Sequence, residues 1–252
     1  MISNRRWLTA AILAASFWLA GCSPANEPVD AAPASVAETT ERTAAVAIPD
    51  KYGAQVAEDV LRAGGNAVDA AVAVGFSMAV TFIDAGNIGG GGFMMIYMDD
   101  TPAFLDYRET APLAAHRDMY LDEHRDVIEN ASLIGARAAG VPGTVAGLWE
   151  AHQRYGRLPW NDLVMPAVRL AEEGFLPAQA IVDDSHSMKD WFGDATGFYD
   201  HFGGISADQP FRQPELGKTL RRIAEHGPED FYRGETARLI VGEMERSNGL
   251  IT

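Results

Sequence analysis

Gly64-Gly65-Asn66-Ala67-Val68-Asp69-Ala70-Ala71-Val72, then Ala85-Gly86-Asn87-Ile88-Gly89-Gly90-Gly91-Gly92-Phe93, then Asp106-Tyr107-Arg108-Glu109-Thr110-Ala111-Pro112: these three words carry most of the information in the chain. The first joins two helices. Gly64 or Gly65 offers a left-handed stop to a helix from about Lys51 to Ala63, whose Val56, Ala57, Val60 and Leu61 share one face. Asn66 is a good N-cap for the next helix, with Asp69 near the positive end of its dipole. That helix, Ala67 to about Val80, is apolar on every side apart from Asp69 and Ser77, so it belongs inside a core. It is too short, and carries a charge, for a membrane span.

In the second word, four glycines lead into Phe93–Met98, a continuous apolar run expected as a strand buried on both faces. Asp99-Asp100 make a turn and Ala103 to Tyr107 pair back as a hairpin. Glycines at a strand's entry point to close backbone packing or a ligand near the main chain. A nucleotide-binding loop needs strand, glycines, then helix; here the order is helix, glycines, strand, and the phosphate reading fails on topology. The third word ends in Arg108, expected to close a buried strand, with Pro112 keeping the following segment out of a helix. An arginine fixed there presents a planar fork that grips a carboxylate bidentately. On residue chemistry alone, an ion pair with Asp106 or Glu109 is the stronger reading.

Elsewhere, Ala44–Ile48 reads as a short strand. Beyond Ala139 the chain turns helical: Val141-Pro142-Gly143 is a turn, and Thr144 caps a helix ending at Gly156. Trp160 to Glu173 follows, stopped by Gly174, with Pro166 interrupting its first turn. Pro214 to His226 and Gly234 to Ser247 complete the set, Asp183 to Gln209 is expected as a long surface excursion, and Asn248-Gly249 is a turn.

The 252 residues, 47% hydrophobic, suffice for one sizeable core or a domain and part of another. A net charge of −15 argues against nucleic acid and other polyanions as partners. The single cysteine, Cys22, excludes an internal disulfide, and six scattered histidines form no ligand pair, so neither metal nor cofactor is expected.

The Asp-x-Arg-Glu-x-Ala-Pro word, after Gly-Gly-Asn-Ala-Val-Asp-Ala-Ala and Gly-Asn-x-Gly-Gly-Gly-Gly-Phe, resembles the large-subunit half of the γ-glutamyltranspeptidases (glutathione hydrolases). The likeness continues through Val141–Gly147, Tyr155–Trp160, Pro166-Ala167, Gly174-Phe175 and Gly227–Tyr232, covering nearly all of Val46 to Thr252. It implies an α+β fold: part of the four-layer α/β/β/α sandwich of N-terminal-nucleophile hydrolases, with this chain supplying a helix-rich portion of residues 46–252. It implies γ-glutamyl transfer and hydrolysis of glutathione and other γ-glutamyl amides, with amino acids, peptides or water as acceptors and no cofactor. Arg108 then binds the substrate's α-carboxylate, with Glu109 as an assistant. The catalytic threonine and the oxyanion glycines belong to a small-subunit half beyond Thr252; no catalytic residue is expected in this chain, and alone it is expected to be inactive. Where many relatives carry a proline before the Ala-Gly-Asn word, Phe82-Ile83-Asp84 stands here. Two rival readings are a related acylase with another amide substrate and a non-catalytic, lipid-anchored binding protein.

At the N-terminus, Arg5-Arg6 precede an apolar run from Trp7 to Ala20 that ends Leu19-Ala20-Gly21-Cys22. This describes a signal peptide over 1–21, and its ending resembles the bacterial lipobox, which implies lipidation of Cys22 and a membrane anchor. Residues 22–45, rich in Ala, Pro, Glu, Ser and Thr, read as a flexible tether. The expected location is the periplasmic face of a bacterial membrane, or the periplasm or exterior without the lipid.

Overall fold

Residues 44–192 and 197–252 are described by the computed structural model. The signal peptide, Cys22 and nearly all of the tether lie outside the described residues. Ala44–Thr252 is one compact unit.

Helix α1 spans Lys51–Arg62 and α2 spans Ala67–Thr81. Asp50 caps α1 by accepting the Gly53 N–H at 2.6 Å, and it also accepts the Thr81 hydroxyl at 2.8 Å, tying the start of α1 to the end of α2. Gly64 leaves α1 at a φ of +90°, the left-handed stop its position foretold. At the start of α2, Asn66 Oδ1 accepts the N–H groups of Val68 and Asp69, while Asp69 Oδ2 accepts the Asn66 N–H, all at 2.9 Å. This reciprocal box satisfies donors that a helix start leaves orphaned.

Strands β1, Phe93–Met98, and β2, Thr101–Asp106, form an antiparallel hairpin in register Met98 to Thr101 and Phe93 to Asp106. Its two-residue turn places Asp99 and Asp100 at φ of 51° and 59°, the left-handed pair that matches strand twist. The expectation that β1 is buried on both faces is wrong. Ile96 is buried, with Met94 and Met98 packed on the core, whereas Phe93, Met95 and Tyr97 are exposed together with Phe104 of β2. Among the described residues nothing covers that second face. Ala44–Ile48, expected as a strand, has no ladder partner among them either.

The helical remainder begins with α3, Thr144–Tyr155, and α4, Trp160–Glu173. Gly143, not Thr144, is the N-cap of α3. Pro166 sits a turn further into α4 than expected, and the helix runs through it. The presumed surface excursion contains the end of α5, Gln179–Ser187, and the short helices α6, Lys189–Phe192, and α7, Phe198–Phe202. Buried Ile205 packs there with Ile181 and Val182 of α5, which explains why the segment is not a loop. Then come α8, Pro214–His226, α9, Pro228–Arg233, and α10, Glu235–Arg246; α9 lay hidden between two glycines in the sequence.

Helix α2 is the hub, packed by α1, α3 and α4, with α8 behind α4. Val72, Ala73, Phe76 and Val80 of α2 meet Leu163, Val164, Ala167 and Val168 of α4 in one cluster, all fully buried. Trp160 stands edge-on to Phe76 at 5.4 Å and donates its indole N–H to the Ile223 carbonyl at 2.8 Å, so even its polar atom is satisfied.

The buried Asp69 carboxylate does more than cap α2. It also accepts the N–H groups of Arg157, at 2.9 and 3.1 Å to its two oxygens, and of Leu158 at 3.4 Å, in the turn between α3 and α4. Asn66 Nδ2 donates to the Tyr155 carbonyl at 2.6 Å beside it. Asp69→Ala strands these donors in the interior and is expected to lower unfolding stability by about 3 kcal/mol. Asp69→Asn, which keeps one acceptor, loses less. The denaturant midpoint at constant slope checks both, and an unshifted midpoint for Asp69→Ala would refute the clamp.

Candidate functional site

The hairpin and the start of α3 together present Arg108. One pair beyond the strands, Gly92 and Tyr107 exchange both main-chain bonds, at 3.3 and 3.0 Å. The glycine run turns back against α3: the Gly90 carbonyl accepts the N–H groups of Gly143 at 2.7 Å and Thr144 at 3.0 Å. Asn87 Oδ1 accepts the Gly90 N–H at 2.5 Å and the Thr144 hydroxyl at 3.4 Å. The glycines thus cap α3 by backbone contact, the close packing their position suggested.

Tyr107 is held as a wedge. A Cβ at Gly143 would overlap the Tyr107 carbonyl, and one at Gly147 would overlap its ring. These two glycines stand four residues apart on one face of α3, so they open a channel in which the aromatic residue lies. Two residues past Arg108, Thr110 and Val141 exchange main-chain bonds at 3.3 and 2.8 Å. Arg108 and Glu109 therefore form a short exposed step between two fixed points.

The expectation that Arg108 closes a buried strand needs correcting: β2 ends at Asp106, and the Arg108 side chain is 66% exposed. Asp106 does not pair with the guanidinium; its carboxylate accepts the Arg108 main-chain N–H at 3.0 Å and shapes the turn. Arg108 Nε meets Glu109 Oε2 at 3.4 Å, and the guanidinium lies 6.0 Å from the Phe93 ring centroid. Among the described residues no carboxylate engages the fork bidentately. What remains is a cation on a rigid base with most of its donors open to solvent, suited to a small carboxylate.

Sequence reasoning found Arg108 and the glycine run but missed Tyr107, Gly143 and Gly147 as its mount. A signal existed: an aromatic before the arginine and glycines four apart in Gly143–Gly147. Only the tertiary contact unites them.

A family model described as gamma-glutamyltranspeptidase matches residues 53–252. The glutathione hydrolase proenzyme of Pseudomonas aeruginosa is 55% identical over 224 residues, taking in 89% of this chain and 40% of that protein. That of Escherichia coli K12 is 39% identical over 259 residues, 98% of this chain and 44% of that protein. The chain spans about two fifths of the length of these curated relatives. The solved γ-glutamyltranspeptidase from Pseudomonas nitroreducens complexed with L-DON matches with a TM-score of 0.81 and 56% identity, over 83% of this chain and 62% of that one. The helix-rich partial α+β fold expected from the sequence is the fold of such structures.

Two phenols frame the site. Burial pushes the Tyr107 hydroxyl above its ordinary pKa, and does the same for Tyr232 on α9, where the Ala146 N–H bond pulls slightly back. A raised folded pKa means the native state keeps a proton that the unfolded state gives up. Their stabilisation is complete below about pH 10, the unfolded value, and is lost as pH climbs through the folded values. Tyrosinate absorbance during an alkaline titration should show Tyr107 and Tyr232 ionising above the ordinary tyrosine range. In Tyr107→Phe and Tyr232→Phe one late group each should vanish. A titration curve that either substitution leaves unchanged at its high-pH end would contradict this.

Proposed function

Since the chain belongs to the γ-glutamyltranspeptidase family, we propose that it is the large-subunit portion of an enzyme hydrolysing glutathione and other γ-glutamyl amides. The same enzyme transfers the γ-glutamyl group to amino acids, peptides or water. The observation carrying this reading is Arg108: its main chain is fixed on both sides, while its guanidinium has one loose carboxylate contact. That arrangement receives the α-carboxylate of a γ-glutamyl donor with little reorganisation. Glu109, at 3.4 Å, limits the rotamers of Arg108.

The threonine nucleophile and turnover belong to a small-subunit half, and residues 1–252 alone carry no activity. That half packs on the hairpin's exposed apolar face of Phe93, Met95, Tyr97 and Phe104, a patch a soluble protein seldom leaves open. Signal-directed export and a lipid on Cys22 complete the reading, placing the enzyme on the periplasmic side of a bacterial membrane.

In the complete gene product, Arg108→Ala should raise KM for a γ-glutamyl amide and cost about 1.5–3 kcal/mol in kcat/KM, with Arg108→Lys recovering part of the charge but not the fork. Equal kinetics for wild type and Arg108→Ala would remove Arg108 from the site. Expressed in a Gram-negative host, the protein should partition to membranes with acylated Cys22, and Cys22→Ser should abolish that acylation. A mature wild-type protein recovered without lipid would end the anchor proposal.

A further inference from the structure

We propose that Tyr232 is a positioning residue of the Arg108 site, acting through the first turn of α3; the inference rests on the reading of Arg108 as the carboxylate binder. The Tyr232 hydroxyl donates to the Pro142 carbonyl at 2.8 Å and accepts the Ala146 N–H at 3.2 Å. One oxygen thereby bridges the turn before α3 to the helix itself. Pro142 lies between the two residues that hold the arginine step: Val141, bonded to Thr110, and Gly143, closed over the Tyr107 carbonyl. The phenol therefore fixes the wall against which Tyr107, Arg108 and Thr110 are registered, from a position 124 residues further along the chain than Arg108.

The platform presenting the phenol is itself rigid. Helix α9 packs against α3, α8 and α10. Its Asp230, nearly fully buried, accepts Arg222 Nε at 3.2 Å, the Thr236 hydroxyl at 2.5 Å and the Glu235 N–H at 3.2 Å. Those bonds leave α9 little freedom to follow a drifting turn. Removing the hydroxyl leaves the core packing in place, because the ring still lies against Phe231 at 5.1 Å and keeps its partly buried site. It also orphans one donor and one acceptor at the mouth of α3. The turn then has to find water or shift, and the arginine step shifts with it.

The chemistry predicts a kinetic signature that a purely structural tyrosine lacks. In the complete gene product, Tyr232→Phe should raise KM for a γ-glutamyl amide roughly threefold to tenfold, the cost of one hydrogen-bonded anchor, with kcat little changed. In an Arg108→Ala background the same substitution should add nothing, because the group it positions is gone. An additive effect in the two backgrounds, or a wild-type KM for Tyr232→Phe while Arg108→Ala is impaired, would overturn the positioning role and leave the Arg108 reading intact. A wild-type KM for Arg108→Ala would instead bring down that reading and this inference with it. If Tyr232→Phe is inactive, hydrogen exchange decides: the Thr110 and Val141 amides should exchange faster than in wild type, and unchanged protection there would refute the coupling.

Discussion

A buried carboxylate bonded, among the described residues, by main-chain N–H groups alone holds this architecture in place. Asp69 is fully enclosed, and among the described residues its partners are all main-chain N–H groups: Asn66 in its own helix, and Arg157 and Leu158 across the fold. Burying such a charge costs several kcal/mol unless hydrogen bonds replace its water, and the positive end of α2 adds a further favourable field. The consequence is geometric. The start of α2 and the turn between α3 and α4 cannot move independently, so the axis of α3 is fixed relative to the hub helix. A Cβ at Gly156 would overlap the His152 ring and carbonyl and crowd Asp69 Oδ1, which accounts for the glycine in Tyr155-Gly156-Arg157.

Once α3 is fixed at its far end, its near end becomes a usable mount. Gly143 and Gly147 let Tyr107 lie within contact distance of the helix, where an alanine at either position would push the hairpin away. The hairpin is otherwise lightly held: it has two strands among the described residues, and only one of its faces meets the core. The wedge thus does what a wider sheet does in other folds, setting the angle at which the strand end leaves the body. Arg108 inherits that angle. Its backbone is determined by neighbours while its side chain stays in solvent.

The parts of this arrangement written in local chemistry were legible in the sequence. Asn66 as cap, Asp69 at the helix start, Gly64 and Gly174 as stops and Asp99-Asp100 as a hairpin turn are decided by a few neighbouring residues, and all appear as read. The all-apolar α2 was likewise correctly placed in the core. The failures involve partners far along the chain. Phe93–Met98 is apolar at every position, and such a run does not reveal which face the described residues cover. The segment 183–209 looked like a loop because Ile205, buried among the described residues, packs on residues of α5 rather than on a periodic neighbour. Arg108 was singled out by a family word; its exposure was not foreseen, because the word says nothing of where β2 ends.

The acidic character of the chain, −15 overall, looks unfavourable for binding a carboxylate under the proposed function. The range of the interaction resolves this. At physiological ionic strength exposed charges are screened beyond about 8 Å, so the distant acidic surface contributes little and the local pair dominates. Locally, Arg108 faces Glu109 through a single 3.4 Å contact, too long and too one-sided to exhaust the fork. Under that proposal, a substrate carboxylate approaching the remaining donors gains two parallel bonds where Glu109 offers one loose contact, and bidentate geometry is the stronger of the two. Glu109 need not leave, since its contact is to Nε and the terminal nitrogens have no carboxylate partner among the described residues. Holding the arginine partly neutralised also disfavours random anions that can satisfy only one donor. Discrimination then comes from placing a planar fork accurately, which is the property that the Tyr107 wedge and the turn before α3 together secure.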